Sequence, residues 1–358
     1  MEIKNKSYSN DSFIRECDDI LNTKSKGLNI ITLIFRPSNY NENLIKSFEG
    51  LGIQIKNLGE VTQLSMRYLL HKEERIVNFY LTQHPIYEEI YFIYSFNGIS
   101  DIYRTLFGAV ESLSDVYYLW LPPSYFDKLK ELILENEGSY MTYFRGQSMA
   151  TGKGEYKRPM FARKIIYEAE DAKMASEELR FEYGILPQTI EFVIPEVSKF
   201  RINKKGYYTL ISGNVGVFLD EVINNLIKMV IEDNREIETA KLEVSKINGK
   251  EALNLKEIMF ELENEIDFEE MKGFIKTMEE EGFSLYNTNL KKGSVIFSTH
   301  IVDEKKGNIF SLTSDGKRFT LMPKYKSNFI SLIRFHNFLI EKIDHFTKVI
   351  YSKKDAIK

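Results

Sequence analysis

The sequence predicts an α+β protein with two domains, each built on a largely antiparallel or mixed sheet backed by helices. Short runs of β-branched and aromatic residues recur along the chain, and many are separated only by turns of hairpin length. Segments with apolar residues at helical spacing lie between these runs. The chain has 358 residues, whereas a single core stops growing at roughly 250–300 residues. We therefore expect two cores and two sheets.

Residues 1–150 are expected to form the first domain. Leu28–Phe35 has the sequence LNIITLIF, an almost unbroken apolar run that is typical of a buried central strand, and Pro37 ends it. Short polar turns join the strands that follow, which makes those strands antiparallel neighbours. The expected strands are 28–35, 53–58, 62–70, 75–81, 86–96 and 116–121, and the expected helices are 13–21, 41–48, 102–113 and 124–136.

Residues 164–358 are expected to form the second domain, which ends in a long amphipathic helix over 327–351. Residues 203–206 predict a hairpin turn that contains a glycine. Asp267 and Glu270 have the spacing of a capping box. The expected strands are 164–168, 189–194, 199–202, 207–211, 240–247, 284–289, 294–301, 308–312 and 318–323, and the other expected helices are 172–181, 215–231 and 267–281.

The overall composition limits the classes of partner. The net charge of -4 gives no general attraction to nucleic acid or to acidic membranes, so such a partner requires a local basic patch. Cys17 is the only cysteine, which excludes an intramolecular disulfide and a cysteine-rich zinc site. The N-terminus is charged, and no apolar run approaches the roughly 18–20 residues of a membrane-spanning helix. We expect a soluble, cytoplasmic protein with no membrane partner.

The clearest local excess of charge lies at the junction between the two expected domains, over residues 140–164. This segment holds six basic residues and one acidic residue, a net charge of +5, and it contains the basic junction loop 151–163. Aromatic residues alternate with the charges, a mixture that can bind phosphates and stack bases. A second basic cluster lies in the last predicted turns. The candidate nucleic-acid-binding residues are Tyr143, Arg145, Lys153, Lys157, Arg158, Arg163, Lys164, Lys317 and Arg318.

Signatures of other chemistry are weaker. The five histidines show neither HxH nor HxxxH spacing, so the sequence predicts no metal site, and it indicates no cofactor. Two Glu-x-Lys triplets, at 155–157 and 304–306, have the spacing used by metal-dependent nucleases but fall in predicted loops. Glycines at 213–216 precede a helix and could present N–H groups to an anion, although a simple helix cap is the favoured interpretation.

These patterns favour a non-catalytic intracellular binding protein that contacts nucleic acid or a ribonucleoprotein through the basic junction loop. Two alternatives stay open. A protein-interaction or scaffold subunit would dock a partner through the acidic segment 251–281, whose net charge is -8, or through the aromatic hairpins of 76–96. A metal-dependent nuclease or another phosphoryl-transfer enzyme would need carboxylates from distant parts of the chain.

Overall fold

The computed structural model describes residues 3–23, 27–37, 43–148, 163–238, 241–247, 250–291, 296–324 and 329–350. It contains helices and large antiparallel sheets, which confirms the α+β class. The chain divides into two compact units: unit 1 lies within Met1–Ser148 and Tyr156–Lys228, and unit 2 contains Met229–Lys358. None of the described helices is long and apolar enough to cross a lipid bilayer.

Unit 1 is built on one antiparallel sheet to which eleven described strands contribute. The strands are β1 Leu28–Phe35, β2 Gln54–Leu58, β3 Val61–Leu70, β4 Glu73–Gln83, β5 Ile90–Ser95, β6 Val116–Tyr118, β7 Tyr140–Ser148, β8 Lys164–Glu168, β9 Ile185–Ile194, β10 Ser198–Asn203 and β11 Tyr207–Gly213. The helices that lie within unit 1 are α1 Asn10–Thr23, α2 Leu44–Gly50, α3 Ile99–Ile102, α4 Gly108–Ser112, α5 Pro123–Leu134, α6 Ala172–Tyr183 and α7 Val215–Phe218. Helix α8, Asn224–Glu238, begins in unit 1 and continues into unit 2. A π-helical turn, Tyr103–Phe107, joins α3 to α4, and a second, Leu219–Ile223, joins α7 to α8.

Strand β1 lies in the middle of this sheet, as its sequence predicts. All eight of its residues are buried, and it pairs with β5 along one edge and with β11 along the other. The strand order is β2-β3-β4-β5-β1-β11-β10-β9-β7-β8, and β6 also pairs with β1. The sheet therefore continues past the expected domain boundary at residue 150, because strands β8–β11 belong to unit 1. Local patterns identify strands but not their distant partners.

The two faces of this sheet carry different helices. On the front face, defined as the face of Ile31, α2 and the continuous α3–α4 helix pack over β1, β3, β4 and β5 and form an apolar core. On the back face, Phe13 of α1 contacts Tyr94 of β5, with ring centroids 5.2 Å apart. Phe218 of α7 contacts Phe200 of β10 on the same face at 4.8 Å. The back face is thus apolar as far as β10.

Unit 2 has its own antiparallel sheet, to which six described strands contribute in the order β15-β16-β17-β18-β14-β19, and a separate hairpin of β12 and β13. The strands are β12 Lys241–Ile247, β13 Lys250–Lys256, β14 Ile258–Glu261, β15 Phe283–Leu290, β16 Phe297–Asp303, β17 Asn308–Ser314, β18 Arg318–Pro323 and β19 Lys348–Ile350, and the helices are α9 Phe268–Glu280 and α10 Ile330–Lys342. Asp267 and Glu270 form the expected capping box at the start of α9. The meander expected over 284–323 corresponds to β15–β18.

Rings from both helices and from the sheet form the core of unit 2. Phe274 of α9 contacts Phe335 and Phe338 of α10. Phe335 also contacts Phe283 of β15 and Phe310 of β17. The unit therefore has an aromatic core of its own.

The last helix is shorter than the expected 327–351. It ends at Lys342, and β19 follows, paired with β14. The side chain of Asp344 accepts hydrogen bonds from the backbone N–H groups of Glu263, at 2.6 Å, and Asn264, at 3.1 Å. These bonds hold the chain beside the end of β14. Apolar residues beyond the helix continue its spacing, which is why the pattern alone overestimated its length.

Candidate ligand-binding cleft

Polar side chains cross the front face of the unit 1 sheet in two rows. Residues directly opposed on antiparallel strands project to the same face, so the register of the strands determines which side chains lie together. The first row, from β7 through β9, β10 and β11 to β1, is Tyr143, Glu191, Arg201, Thr209 and Asn29. The second row, from β7 through β9 and β10 to β11, is Arg145, Thr189, Asn203 and Tyr207.

A cleft of about 500 Å³ lies over these rows, next to the start of α3. Its walls combine members of both rows with Phe96, Asn97, Gly98, Ile99 and Tyr103. None of the described residues that line it is acidic. Sites for small organic ligands have volumes of roughly 300–1,000 Å³, so the cleft is large enough for one nucleotide-sized group.

A buried carboxylate holds Arg201 of the first row and the nearby Lys199 in place. Glu191 is only 2% exposed. Its Oε2 accepts hydrogen bonds from Nε and Nη2 of Arg201 at 3.1 and 2.6 Å. Its Oε1 accepts a hydrogen bond from the Thr142 hydroxyl at 2.8 Å and forms an ion pair with Nζ of Lys199 at 3.0 Å. Burial opposes ionisation of this carboxyl, but the hydrogen bonds from Thr142, Lys199 and Arg201 outweigh it, and the pKa of Glu191 lies below its ordinary value. Glu191 is therefore a fixed anion beneath the cleft.

Two arginines give the cleft its positive charge. Arg201 lies with its guanidinium carbon 4.2 Å from the centroid of the Tyr143 ring, so both stacking and the ion pair with Glu191 fix its orientation. Arg145 is exposed and forms no ion pair with any described acidic residue. Asp101, in the first turn of α3, does not line the cleft, and its carboxylate accepts a hydrogen bond from Tyr68. Arg145 therefore presents a cation that an anionic ligand can neutralise.

The amide side chains of the cleft are bound to other groups of the protein. Asn29 donates to the carbonyl of Asn97 at 2.7 Å and accepts from Tyr207 at 2.5 Å and from Thr209 at 3.0 Å. Asn203 donates to Thr189 at 2.9 Å and accepts from the backbone of the following turn at 3.0 Å. This network fixes the floor of the cleft and uses the amide groups that could otherwise read a base.

The candidate residues of the junction segment fall into three groups. Tyr143 and Arg145 line the cleft, and Lys164, at the exposed start of β8 opposite Gln147, lies on the same face by strand alternation. The guanidinium of Arg163 lies instead over the ring of Tyr183, 5.1 Å from its centroid. The candidates that lie outside the described residues are Lys153, Lys157 and Arg158.

The second basic cluster belongs to unit 2. Lys317 and Arg318 lie at the turn between β17 and β18 and the start of β18. The backbone N–H groups of both bind the carboxylate of Asp315, and Nε of Arg318 lies 3.2 Å from Glu261. This cluster is therefore partly neutralised within unit 2.

Several other motifs of the sequence have structural roles. The carboxylate of Asp18 accepts from the backbone N–H of Val215 at 2.7 Å and fills the position where an anion would lie at residues 213–216, while Asn214 caps the helix. The backbone N–H groups of Lys305 and Lys306 bind Asp303, so the triplet 304–306 is a turn between β16 and β17. The triplet 155–157 lies outside the described residues. Within the described ranges, no three His, Cys, Asp or Glu side chains are placed to hold a metal ion.

Several rings of the aromatic hairpins of 76–96 belong to the core. Phe79, Tyr80, Phe92 and Tyr94 are each no more than 6% exposed, because their side chains pack on the two faces of the sheet. Tyr91 and Phe96 are partly exposed. The aromatic docking surface expected at 76–96 stays a prediction.

Sequence reasoning missed Glu191, Arg201 and Asn203. The signal that could have found them is the alternation of polar and apolar residues along a strand. The predicted strands 189–194 and 199–202 place Thr, Glu, Lys and Arg at alternate positions, between buried apolar residues. Such alternation is also typical of an ordinary half-exposed strand. Only the cross-strand register shows that these positions lie side by side.

Two comparisons with known proteins bear on the cleft. The model of the AF_0896 family middle domain matches residues 126–205, a range that contains Tyr143, Arg145, Glu191 and Arg201. An uncharacterised protein of Archaeoglobus fulgidus is 22% identical over 292 residues, which is 74% of this chain and 79% of that protein. The chain is similar to both, and neither description states an activity or a ligand.

Proposed function

We propose that this protein binds single-stranded nucleic acid, free or in a ribonucleoprotein, through the front-face cleft of unit 1. The observation that carries the proposal is the charge of the cleft: Arg145 and Arg201 line it, no described lining residue is acidic, and Arg145 pairs with no described carboxylate. Phosphate groups are natural ligands of such arginines. This proposal includes the cytoplasmic location expected from the sequence.

The shape of the cleft favours unpaired strands over a duplex. Single strands are held by basic grooves combined with aromatic rings on which bases stack. The cleft offers the rings of Tyr103, Tyr143 and Phe96 beside its arginines. In a duplex the bases are already stacked on one another, so these rings would have no partner.

The decisive experiment measures the affinity of labelled single-stranded RNA, single-stranded DNA and duplex DNA from low to physiological salt concentration. In Arg145→Gln the loss of one phosphate contact should weaken single-strand binding by about tenfold and reduce the salt slope by about 0.7. The matched control is Arg75→Gln, which removes an exposed arginine from β4 in the same unit. It should bind like the wild type.

Two results would contradict the proposal. One is that the wild type binds no single strand even at low salt concentration. The other is that Arg145→Gln and Arg75→Gln lose the same affinity, because the effect would then come from total charge and not from the cleft.

The basic loop contributes a separate part of the proposal. Lys153, Lys157 and Arg158 belong to the segment that joins β7, which carries Arg145, to β8, which carries Lys164. We expect their joint replacement by alanine to lower affinity further and to reduce the salt slope by about 2, since each phosphate contact contributes about 0.7. An unchanged slope would remove these three residues from the binding surface.

The two alternative functions stay predictions. Oligonucleotide cleavage that depends on magnesium, seen on gels of the same samples, would favour the nuclease. A scaffold role would depend on the acidic segment 251–281, where side chains such as Glu269 and Glu280 are exposed and pair with Lys272 and Lys276 on the same helix. Binding of a protein partner that is lost when these acids are neutralised would favour that role.

A further inference from the structure

The cleft contains the end of a stack of aromatic rings. Tyr103 and Phe107 are one helical turn apart, and their rings are nearly parallel, with centroids 4.3 Å apart and an interplanar angle of 12°. Phe107 in turn stacks on Tyr118, at 5.0 Å and 30°. Tyr118 and Phe107 are largely enclosed, whereas Tyr103 is 49% exposed and lines the cleft. The described residues thus form a three-ring stack whose last member has one face open.

The backbone at this point departs from a regular helix. Tyr103 is the first residue of the π-helical turn Tyr103–Phe107, inserted between α3 and α4. Single π-helical turns occur frequently at functional sites, because the extra residue changes the direction of neighbouring side chains. Here the turn accompanies the nearly parallel placement of Tyr103 on Phe107.

The geometry points to a nucleobase as the next layer of this stack, and we propose that the cleft holds one base against the open face of Tyr103. The inference rests on the proposed function, because it assigns the sugar-phosphate of the same nucleotide to Arg145, which also lines the cleft. Flat aromatic groups prefer parallel, offset contact with another ring. A nucleotide supplies both the ring and the phosphate, and the volume of about 500 Å³ accommodates it.

The amide side chains of the same site are largely engaged in bonds within the protein. The amide of Asn29 is bonded at both its donor and its acceptor, and so is the amide of Asn203. Asn97 donates to Asn78 and Ser95. Reading a base requires free donors or acceptors at its edge, whereas stacking accepts any base. We therefore expect binding that requires a base but tolerates all four.

The experiment compares a short single-stranded DNA with its abasic counterpart, which has the same phosphates and no bases. In the wild type the abasic strand should bind about tenfold more weakly. In Tyr103→Leu the difference between the two strands should become clearly smaller, and Tyr103→Phe should restore it, since the ring and not the hydroxyl makes the contact. Homopolymers of different bases should differ by less than about tenfold.

Each outcome separates this inference from the proposed function. If both strands bind equally to the wild type, or if Tyr103→Leu retains the full preference for bases, the stacking inference is wrong while phosphate binding at Arg145 stands. If neither strand binds, the proposed function fails and the inference fails with it. A strong preference for one base would contradict the tolerance argued from the occupied amides.

Discussion

Glu191 controls how much positive charge the cleft presents. It pairs with both Lys199 and Arg201, so this cluster of two cations and one anion has a net charge of +1. Its carboxylate is buried while the two basic side chains are 39% and 38% exposed. Ionisation of Glu191 therefore stabilises the sheet and at the same time weakens the attraction of the cleft for anions.

Replacing Glu191 by glutamine should move stability and affinity in opposite directions. Glu191→Gln keeps the shape but loses charge-assisted bonds at a buried site, so the free energy of unfolding should fall by about 1–3 kcal/mol. The uncompensated charge of Lys199 and Arg201 should strengthen binding of single strands, most clearly at low salt concentration. Urea unfolding and affinity measured across a salt series test both signs.

The control for this variant is Glu168→Gln. Glu168 is exposed on β8 and opposes Tyr143 in the register, so it lies on the same face without a described hydrogen bond to its carboxylate. It should bind slightly more tightly with unchanged stability. A Glu191→Gln protein that binds more weakly than the wild type would contradict the assignment of the cleft as an anion site.

At the scale of elements, the turn between β10 and β11 positions Arg201, Asn203 and Tyr207. Gly206 has a φ of +61°, and a Cβ atom at this position would lie 2.4 Å from the carbonyl oxygen of Leu119. Two hydrogen bonds hold the turn against neighbouring parts of the chain. The N–H of Thr32 donates to the carbonyl of Gly206 at 3.0 Å, and the N–H of Leu121 donates to the carbonyl of Lys204 at 2.7 Å. Only glycine fits here without displacement of backbone.

Gly206→Ala should therefore destabilise unit 1, by about 1–3 kcal/mol, and should loosen the cleft floor. The matched control is Gly108→Ala: this glycine is exposed in a helix, and its added Cβ would meet no atom within 4 Å. That change should stabilise the protein by about 0.5–1 kcal/mol. Thermal unfolding followed through the single tryptophan, Trp120 of unit 1, measures both. Equal effects of the two substitutions would contradict the role given to the turn.

The sequence predicted elements well where the signal was local. The hairpin at 203–206, the capping box at Asp267 and the buried strand β1 all depend on residues within a few positions of one another, and the structure has each of them. The last helix was overestimated, because the bonds of Asp344 to a distant loop are absent from any local pattern. Tyr143 and Arg145 were found because they lie in a segment of unusual charge; Arg201 lies in a strand of ordinary composition.

At the scale of the whole molecule, the sequence predicted the α+β class but placed the boundary near residue 150, whereas unit 1 continues to Lys228. The reason is the pairing of β1 with β11, which joins Leu28 to Leu210 in one sheet. Because the basic segment lies between β7 and β8 of that sheet, it is an insertion between two paired strands.

Each unit contains a histidine that burial keeps neutral. In unit 1, the ring of His84 accepts at Nδ1 from the backbone N–H groups of Ile86 and Tyr87, both at 3.0 Å, so its proton lies on Nε2, which faces the Asn224 side-chain oxygen at 3.1 Å. Burial lowers its pKa, against smaller opposing effects of Asn224, Glu89 and Asp220. In unit 2, His336 stacks on Phe260 at 4.7 Å, and burial lowers its pKa from 6.5 to about 4.

These two groups should make the whole protein less stable in mild acid. A histidine whose pKa is lower in the folded protein than in the unfolded chain binds fewer protons when folded. The stability that it gives the folded state is therefore fully present above pH 6.5 and is lost as the pH falls towards the folded pKa, which is about 4 for His336. Between about pH 7.5 and 5.5, protonation of His336 alone should lower the free energy of unfolding by about 1 kcal/mol.

His336→Phe, which keeps the stacked ring, and His84→Asn, which keeps an acceptor for the backbone, should each reduce this loss of stability. Urea unfolding at both pH values measures the contribution of each histidine to this loss. Trp120 fluorescence follows unit 1, and circular dichroism follows the whole chain. If both variants lose as much stability as the wild type, other groups dominate the acid response.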